Sequence, residues 1–258
     1  MATLREVEQA IFELAPKELA MDWDNVGLLV GRPDREVTKV LVALDVTEWV
    51  AEEALELGVN LIISHHPVMN CAWSPVQTLR DDNPQGRLLL RMIEGGVGCV
   101  CMHTNLDAAE GGVNDALAAR LGLADVEELE GGDGILRVGA VKEKTCTEFA
   151  AFVKEALGAG SVRFVDTGRP IRRVAVGGGA CGGYFRAAAA AGCDALVTAD
   201  VKYDQFLDAK ALGLCLMDAG HFPTENVVCP VLAEYLRERF PGLEVVVSRR
   251  HREVFDCL

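Results

Sequence analysis

Five histidines occur in 258 residues, and four of them follow apolar runs. His65 and His66 come after "LIIS" and before Pro67, His103 after "GCVCM", and His221 after "CLMDAG". Carboxylates stand four residues downstream of two of them, Asp107 after His103 and Glu225 after His221. Imidazoles and carboxylates together are the ligand set of zinc, manganese, iron and similar divalent ions. Side chains four apart share one face of a helical turn, so each pair could converge on one ion. Adjacent histidines diverge in an extended segment and suit two neighbouring ions better than one. A carboxylate such as Glu225 has two oxygens with which to bridge such ions, and two metals about 3.5–4 Å apart clamp and deprotonate a water for hydrolysis. Any one pair alone reads as a solvated helix entry with its ordinary cap and loop hydrogen bonds. Three clusters at the ends of apolar runs, in a histidine-poor chain, favour metal. The fifth histidine, His251, lies in "SRRHRE" without a comparable setting.

The elements that must position these groups alternate along the chain. Apolar runs at 37–44, 59–64 and 96–102 predict buried strands, with helices at 47–58 and 85–94 between them. Strand, helix, strand with short connections is the pattern of parallel βαβ units, whose ligands gather at the carboxyl ends of the strands. Thr3 and Glu6 are spaced as a capping box for the first helix. The acidic, Gly-rich stretch "LADVEELEGGDG" (123–134) reads as a connector, dividing an N-terminal α/β domain (1–125) from a C-terminal one (126–258). Beyond it strands are expected at 135–141, 161–165 and 172–177, in "DALVTAD" and "LCLMDAG", and finally in "LEVVVS". Helices are expected at 147–157, at about 203–212 and from His221 onward. "GGGACGG" (177–183) lacks a Walker lysine and a clean GxGxxG, so a tight strand-to-helix crossing explains it better than a phosphate cradle.

The formal net charge of −14 argues against a general nucleic-acid binder or an anionic-lipid partner, both of which need a Lys/Arg surface. No apolar run reaches the ~18–20 residues of a membrane span. Arg5, Glu6 and Glu8 interrupt the place where a signal peptide carries its apolar core, so a cytoplasmic location is expected. Nine cysteines without a CxxC, in such a chain, read as small buried hydrophobes rather than a disulfide framework.

Four segments carry a resemblance: "WDNVGLLVG" (Trp23–Gly31), "SHHP" (Ser64–Pro67), "HTNLDAAEGGVNDALA" (His103–Ala118) and "DAGHFPTE" (Asp218–Glu225). Together, in this order, the chain resembles the Nif-three-like dinuclear-metal-centre family, whose members are often called GTP cyclohydrolase 1 type 2 homologues. The resemblance implies two related α/β domains with mostly parallel sheets, a toroidal homohexamer, and two divalent ions per subunit in a cleft at the strand ends. Carried over position by position, it implies His65, His66, Asp107, His221 and Glu225 as metal ligands, Glu225 touching both ions. His103 falls beside this set, as a group backing the ligands or touching substrate. Two departures bear on the substrate. Gly177-Gly178-Gly179-Ala180-Cys181 stands where the family often reads GGGSG, and Asp204 stands where it commonly has a histidine.

The function so implied is metal-dependent hydrolysis, with a purine nucleotide such as GTP as substrate, ring opening and loss of formate. His103 or Glu225 would handle the proton. The alternative is a metal-binding assembly or regulatory protein, a hexameric ring without turnover. His/Asp/Glu ligation suits Zn, Mn, Fe, Co or Ni equally.

Overall fold

The computed structural model describes residues 2–70 and 75–258. The chain divides into two compact units, one of Met1–Ala109 with Cys229–Arg252, the other of Glu110–Val228 with Glu253–Leu258. The first holds β1 (Gly27–Val30), β2 (Lys39–Ala43), β3 (Leu61–Ser64) and β4 (Gly98–Cys101). The second holds β5 (Ala124–Glu128), β6 (Arg137–Lys144), β7 (Arg163–Phe164), β8 (Ile171–Val176), β9 (Ala195–Thr198) and β10 (Cys215–Asp218). The last strand, β11 (Glu244–Val247), returns to the first unit and pairs with β2.

The first sheet has the order β1-β4-β3-β2-β11. β11, β2, β3 and β4 run parallel, and β1 closes the edge antiparallel to β4. The inner strands are near-continuous apolar runs because they are buried on both faces, as parallel strands must be. Leu41, Ile62 and Cys99 pack there with Val50 of the helix Glu48–Glu56 and with Leu89 and Met92 of the helix Pro84–Glu94. The helix Leu4–Leu14 opens on the expected capping box. Thr3 Oγ1 accepts from the Glu6 amide at 3.3 Å, and Glu6 Oε2 accepts from the Thr3 amide at 2.7 Å.

The second sheet has the order β5-β6-β8-β9-β10-β7. Its centre, β8-β9-β10, is parallel, and its flanks are antiparallel. Phe149 and Val153 of the helix Cys146–Leu157 pack against Val174, Val176, Val197 and Met217. The protein is thus a mixed α/β fold in which most strand ladders run parallel.

Two sequence expectations are corrected. The boundary at residue 125 falls within the second unit, because the acidic stretch is not a bare connector: its first part is β5, paired antiparallel with β6. All five residues of β5 are exposed, so the strand has no apolar alternation by which to be recognised. The C-terminal segment is also not wholly part of the second unit, since β11 extends the first unit's parallel ladder. The expectation for cysteine holds. Among the described residues all eight cysteines are free and six are buried, and burial pushes the Cys99 thiol up to about 12.

Buried Glu53 anchors the turn after β11. It accepts from Ser248 Oγ at 2.5 Å and from the amides of Arg249 at 2.9 Å and Arg250 at 3.2 Å. Burial pushes its carboxyl up, but these donors outweigh burial and hold it below the usual glutamate value. Its contribution to stability is therefore full above the ordinary value near ~4.3 and is lost as pH falls through the lower folded value. Glu53→Gln should cost about 1.5–3 kcal/mol at neutral pH. In denaturant titrations, the gap between the two proteins should narrow below about pH 4.

Candidate metal centre

The parallel register of β3 and β4 pairs Ser64 with Cys101, so the residues that follow leave the sheet side by side. They are His65 and His66 on one strand end and Met102 and His103 on the other. The rings lie close: centroids are 5.0 Å apart for His65 and His66, 5.2 Å for His65 and His103, and 5.5 Å for His66 and His103. One nitrogen of each falls within 4.8 Å of the others, near enough to surround an ion. Asp107, on the short helix Thr104–Ala108, brings Oδ1 to 3.6 Å from His65 Nε2.

Each of these imidazoles is held through Nδ1. His65 Nδ1 meets Met102 O at 2.8 Å, His66 Nδ1 meets Asp45 Oδ1 at 2.7 Å, and His103 Nδ1 meets Asp24 Oδ1 at 2.9 Å. A carbonyl or an ionised carboxylate can only accept, so Nδ1 carries the hydrogen and Nε2 keeps its lone pair. That is how metal-binding histidines are oriented. Asp24 is buried and also accepts from the Thr104 amide at 3.0 Å and the Thr104 hydroxyl at 2.6 Å. Burial raises its carboxyl, yet His103 and Thr104 together hold it well below the usual aspartate value.

The second unit carries a matching set. The helix His221–Glu225 follows β10, and the i,i+4 spacing read from the sequence puts His221 Nε2 3.0 Å from Glu225 Oε2. His221 Nδ1 is tied to Asp200 Oδ2 at 2.7 Å, so the fourth imidazole follows the same rule. The glycine run packs against this turn. Gly178 N donates to Asn114 Oδ1 at 2.8 Å and Gly179 N to Thr224 Oγ1 at 3.1 Å. Gly179 has φ +60°, and a Cβ there would overlap Glu225 Oε1 and lie 3.1 Å from His221 Nε2. The run is thus more than a strand-to-helix crossing, since its backbone leaves room for the carboxylate and the imidazole. Gly179→Ala should cost about 1–2 kcal/mol for the left-handed backbone alone. It should also displace Glu225, to be read as weakened metal uptake in equilibrium dialysis beside the denaturation curve.

The donor chemistry fits divalent metal: imidazole Nε2 atoms and carboxylate oxygens, with no hydrophobe among them. The structure places His65, His66, His103 and Asp107 together in the first unit, and His221 with Glu225 in the second. Sequence reasoning missed the carboxylates that orient the rings. Asp24 stands inside "WDNVGLLVG", Asp45 just beyond the apolar run at 37–44, and Asp200 at the end of "DALVTAD", none of them beside its histidine in the chain.

This is a mixed α/β protein with a set of oriented histidines and carboxylates at its strand ends. The chain belongs to the DUF34/NIF3 (NGG1p interacting factor 3) family, whose profile it matches over residues 2–253. It is 33% identical to the GTP cyclohydrolase 1 type 2 homolog of Clostridium perfringens over 99% of both chains. It is 37% identical to that of Streptomyces coelicolor over 92% of this chain and 87% of the relative. Among solved structures, a Bacillus cereus protein related to NIF3 superposes with a TM-score of 0.93 at 26% identity, covering 100% of this chain and 99% of that one. A Staphylococcus aureus hypothetical protein does so with a TM-score of 0.91 at 30% identity, covering 99% of both. Among the described residues no helix is long and apolar enough to cross a membrane.

Proposed function

We propose that this protein is a divalent-metal-dependent hydrolase with a two-ion centre, acting on a purine nucleotide in the manner of a GTP cyclohydrolase. The ligands in this reading are His65, His66, Asp107, His221 and Glu225, with Glu225 shared between the ions. One observation carries it: all four candidate imidazoles are bonded through Nδ1 to an acceptor and present Nε2. The bound ions would supply a water acidic enough to act at neutral pH and charge to stabilise its addition.

The chain's own residues do the rest. His103, held by Asp24 and flanked by Trp23 with ring centroids 5.9 Å apart, takes or returns a proton at Nε2. Glu225, buried against the glycine run, offsets the charge of the ions. Beside His221 a cavity of about 290 Å³, lined in part by Ser161, Arg163, Asp200 and Phe255, receives part of the substrate. The names of the relatives support a nucleotide, while Asp204 and Ala180-Cys181 set this chain's own preference. The subunits form a homohexamer in this reading, and six buried free thiols suit a reducing cytoplasm.

Elemental analysis of chelator-free protein, followed by turnover assays on a panel of nucleotides with metal-free and reconstituted samples, tests the proposal. About two metal equivalents and metal-dependent product release are expected. Two ions without turnover on any nucleotide would support a metal-handling assembly protein instead. No ion after reconstitution would remove both readings.

A further inference from the structure

Asp45 lies between two imidazoles. Its Oδ1 accepts from His66 Nδ1 at 2.7 Å and its Oδ2 pairs with His251 Nε2 at 3.0 Å. His251 is the histidine that the sequence left without a setting, yet its side chain is only 4% exposed. The turn that carries it is built into the sheet. Ser248 N donates to Val42 O at 2.8 Å, continuing the β2–β11 ladder, and the His251 amide donates to Ser248 Oγ at 3.0 Å. Glu53 holds the same turn from beneath, through Ser248, Arg249 and Arg250.

We propose that His251 is a positioning residue for the metal centre: by binding the second oxygen of Asp45, it fixes the ring plane and tautomer of His66, so that His66 Nε2 points at an ion. Asp45 is half-buried, and a carboxylate held at one oxygen can turn about its terminal torsion, where the wells are broad. Water would then compete for it. A second donor on the other oxygen pins the carboxylate plane, and the pinned plane sets the hydrogen on His66 Nδ1. The turn after the last strand thereby becomes part of the machinery that holds metal, although it lies 185 residues beyond His66 in the chain. This inference rests on the metal reading above.

The test uses the full chain and three proteins: wild type, His251→Phe, which keeps a ring but no donor, and His251→Gln, which returns an N–H near the place of Nε2. Each is titrated with Zn²⁺ and with Mn²⁺ against a chromophoric chelator, and thermal melting reports the fold. His251→Phe should bind one of the two ions about 10–100-fold more weakly, the usual effect of removing a group that backs a ligand. His251→Gln should stay close to wild type. Long-range ¹H–¹⁵N spectra of the metal-free proteins should show His66 as a single Nδ1–H tautomer in wild type and a mixture in His251→Phe. If the Phe variant does not fold, His251→Asn, too short to reach Asp45, takes its place. Wild-type affinity for both ions with an unchanged His66 tautomer in the donor-less variant would overturn the inference, as would a Gln variant no better than Phe. A wild-type protein that takes up no metal overturns the metal reading itself, and is told apart because the defect is then in the unmodified chain.

Discussion

Glu225→Gln should empty the metal centre. The substitution keeps the side chain's shape and replaces one carboxylate oxygen by an amide nitrogen, which has hydrogens and no lone pair to offer a cation. Glu225 is buried, its Oε2 lies 3.0 Å from His221 Nε2, and the Gly179 backbone closes round its other oxygen. Loss of one negative charge in so confined a place should lower affinity by about 10²-fold or more, beyond the 10–100-fold typical of groups that only back the ligands. The protein should melt close to wild type when both are metal-free. Metal content on dialysed samples should fall to near zero, and any turnover should fall with it. Retention of both ions would show that Glu225 is not the shared ligand.

His103→Asn should do the opposite, with metal kept and turnover lost. Its Nδ1 is committed to Asp24, and Asn can offer that carboxylate a similar N–H, so the buried acceptor stays satisfied. What disappears is Nε2 as a proton carrier. A lost general acid or base costs about 10²–10⁴-fold in rate. Kinetics and elemental analysis must be done on the same samples. The His103 ring lies close enough to His65 and His66 to serve as a ligand, so ions lost in step with activity would make it one. Full activity with both ions would make it structural.

The histidines were legible because they punctuate apolar runs, and parallel strands deliver whatever follows them to a common edge. The His221–Glu225 pair was legible because four residues on a helix is a distance that sequence spacing encodes. The orienting carboxylates were not. Asp24 reaches His103 across 79 positions, and Asp45 and Asp200 each lie 21 positions from their histidine, in loops with no period to read. His251 has basic and polar neighbours in the chain, whereas its burial comes from the turn that follows the parallel pairing of β11 with β2, which local patterning does not reveal. β5 went unread for the converse reason: an edge strand exposed along its length has no apolar face. In the chain Gly179 is one glycine of a run, and what sets it apart, a left-handed backbone pressed against Glu225, is a tertiary contact.

The Nδ1 bonds of the four imidazoles have a calorimetric consequence. Rings already locked in orientation by Met102, Asp45, Asp24 and Asp200 have surrendered their rotational freedom during folding, before any ion arrives. Capture of a hydrated cation then orders little of the protein and releases the water the cation carried, so its heat signature should be one of favourable entropy. Cutting any one of these tethers shifts the ordering of that ring from the folding step to the binding step, and the loss should show in the entropy of association more than in its enthalpy.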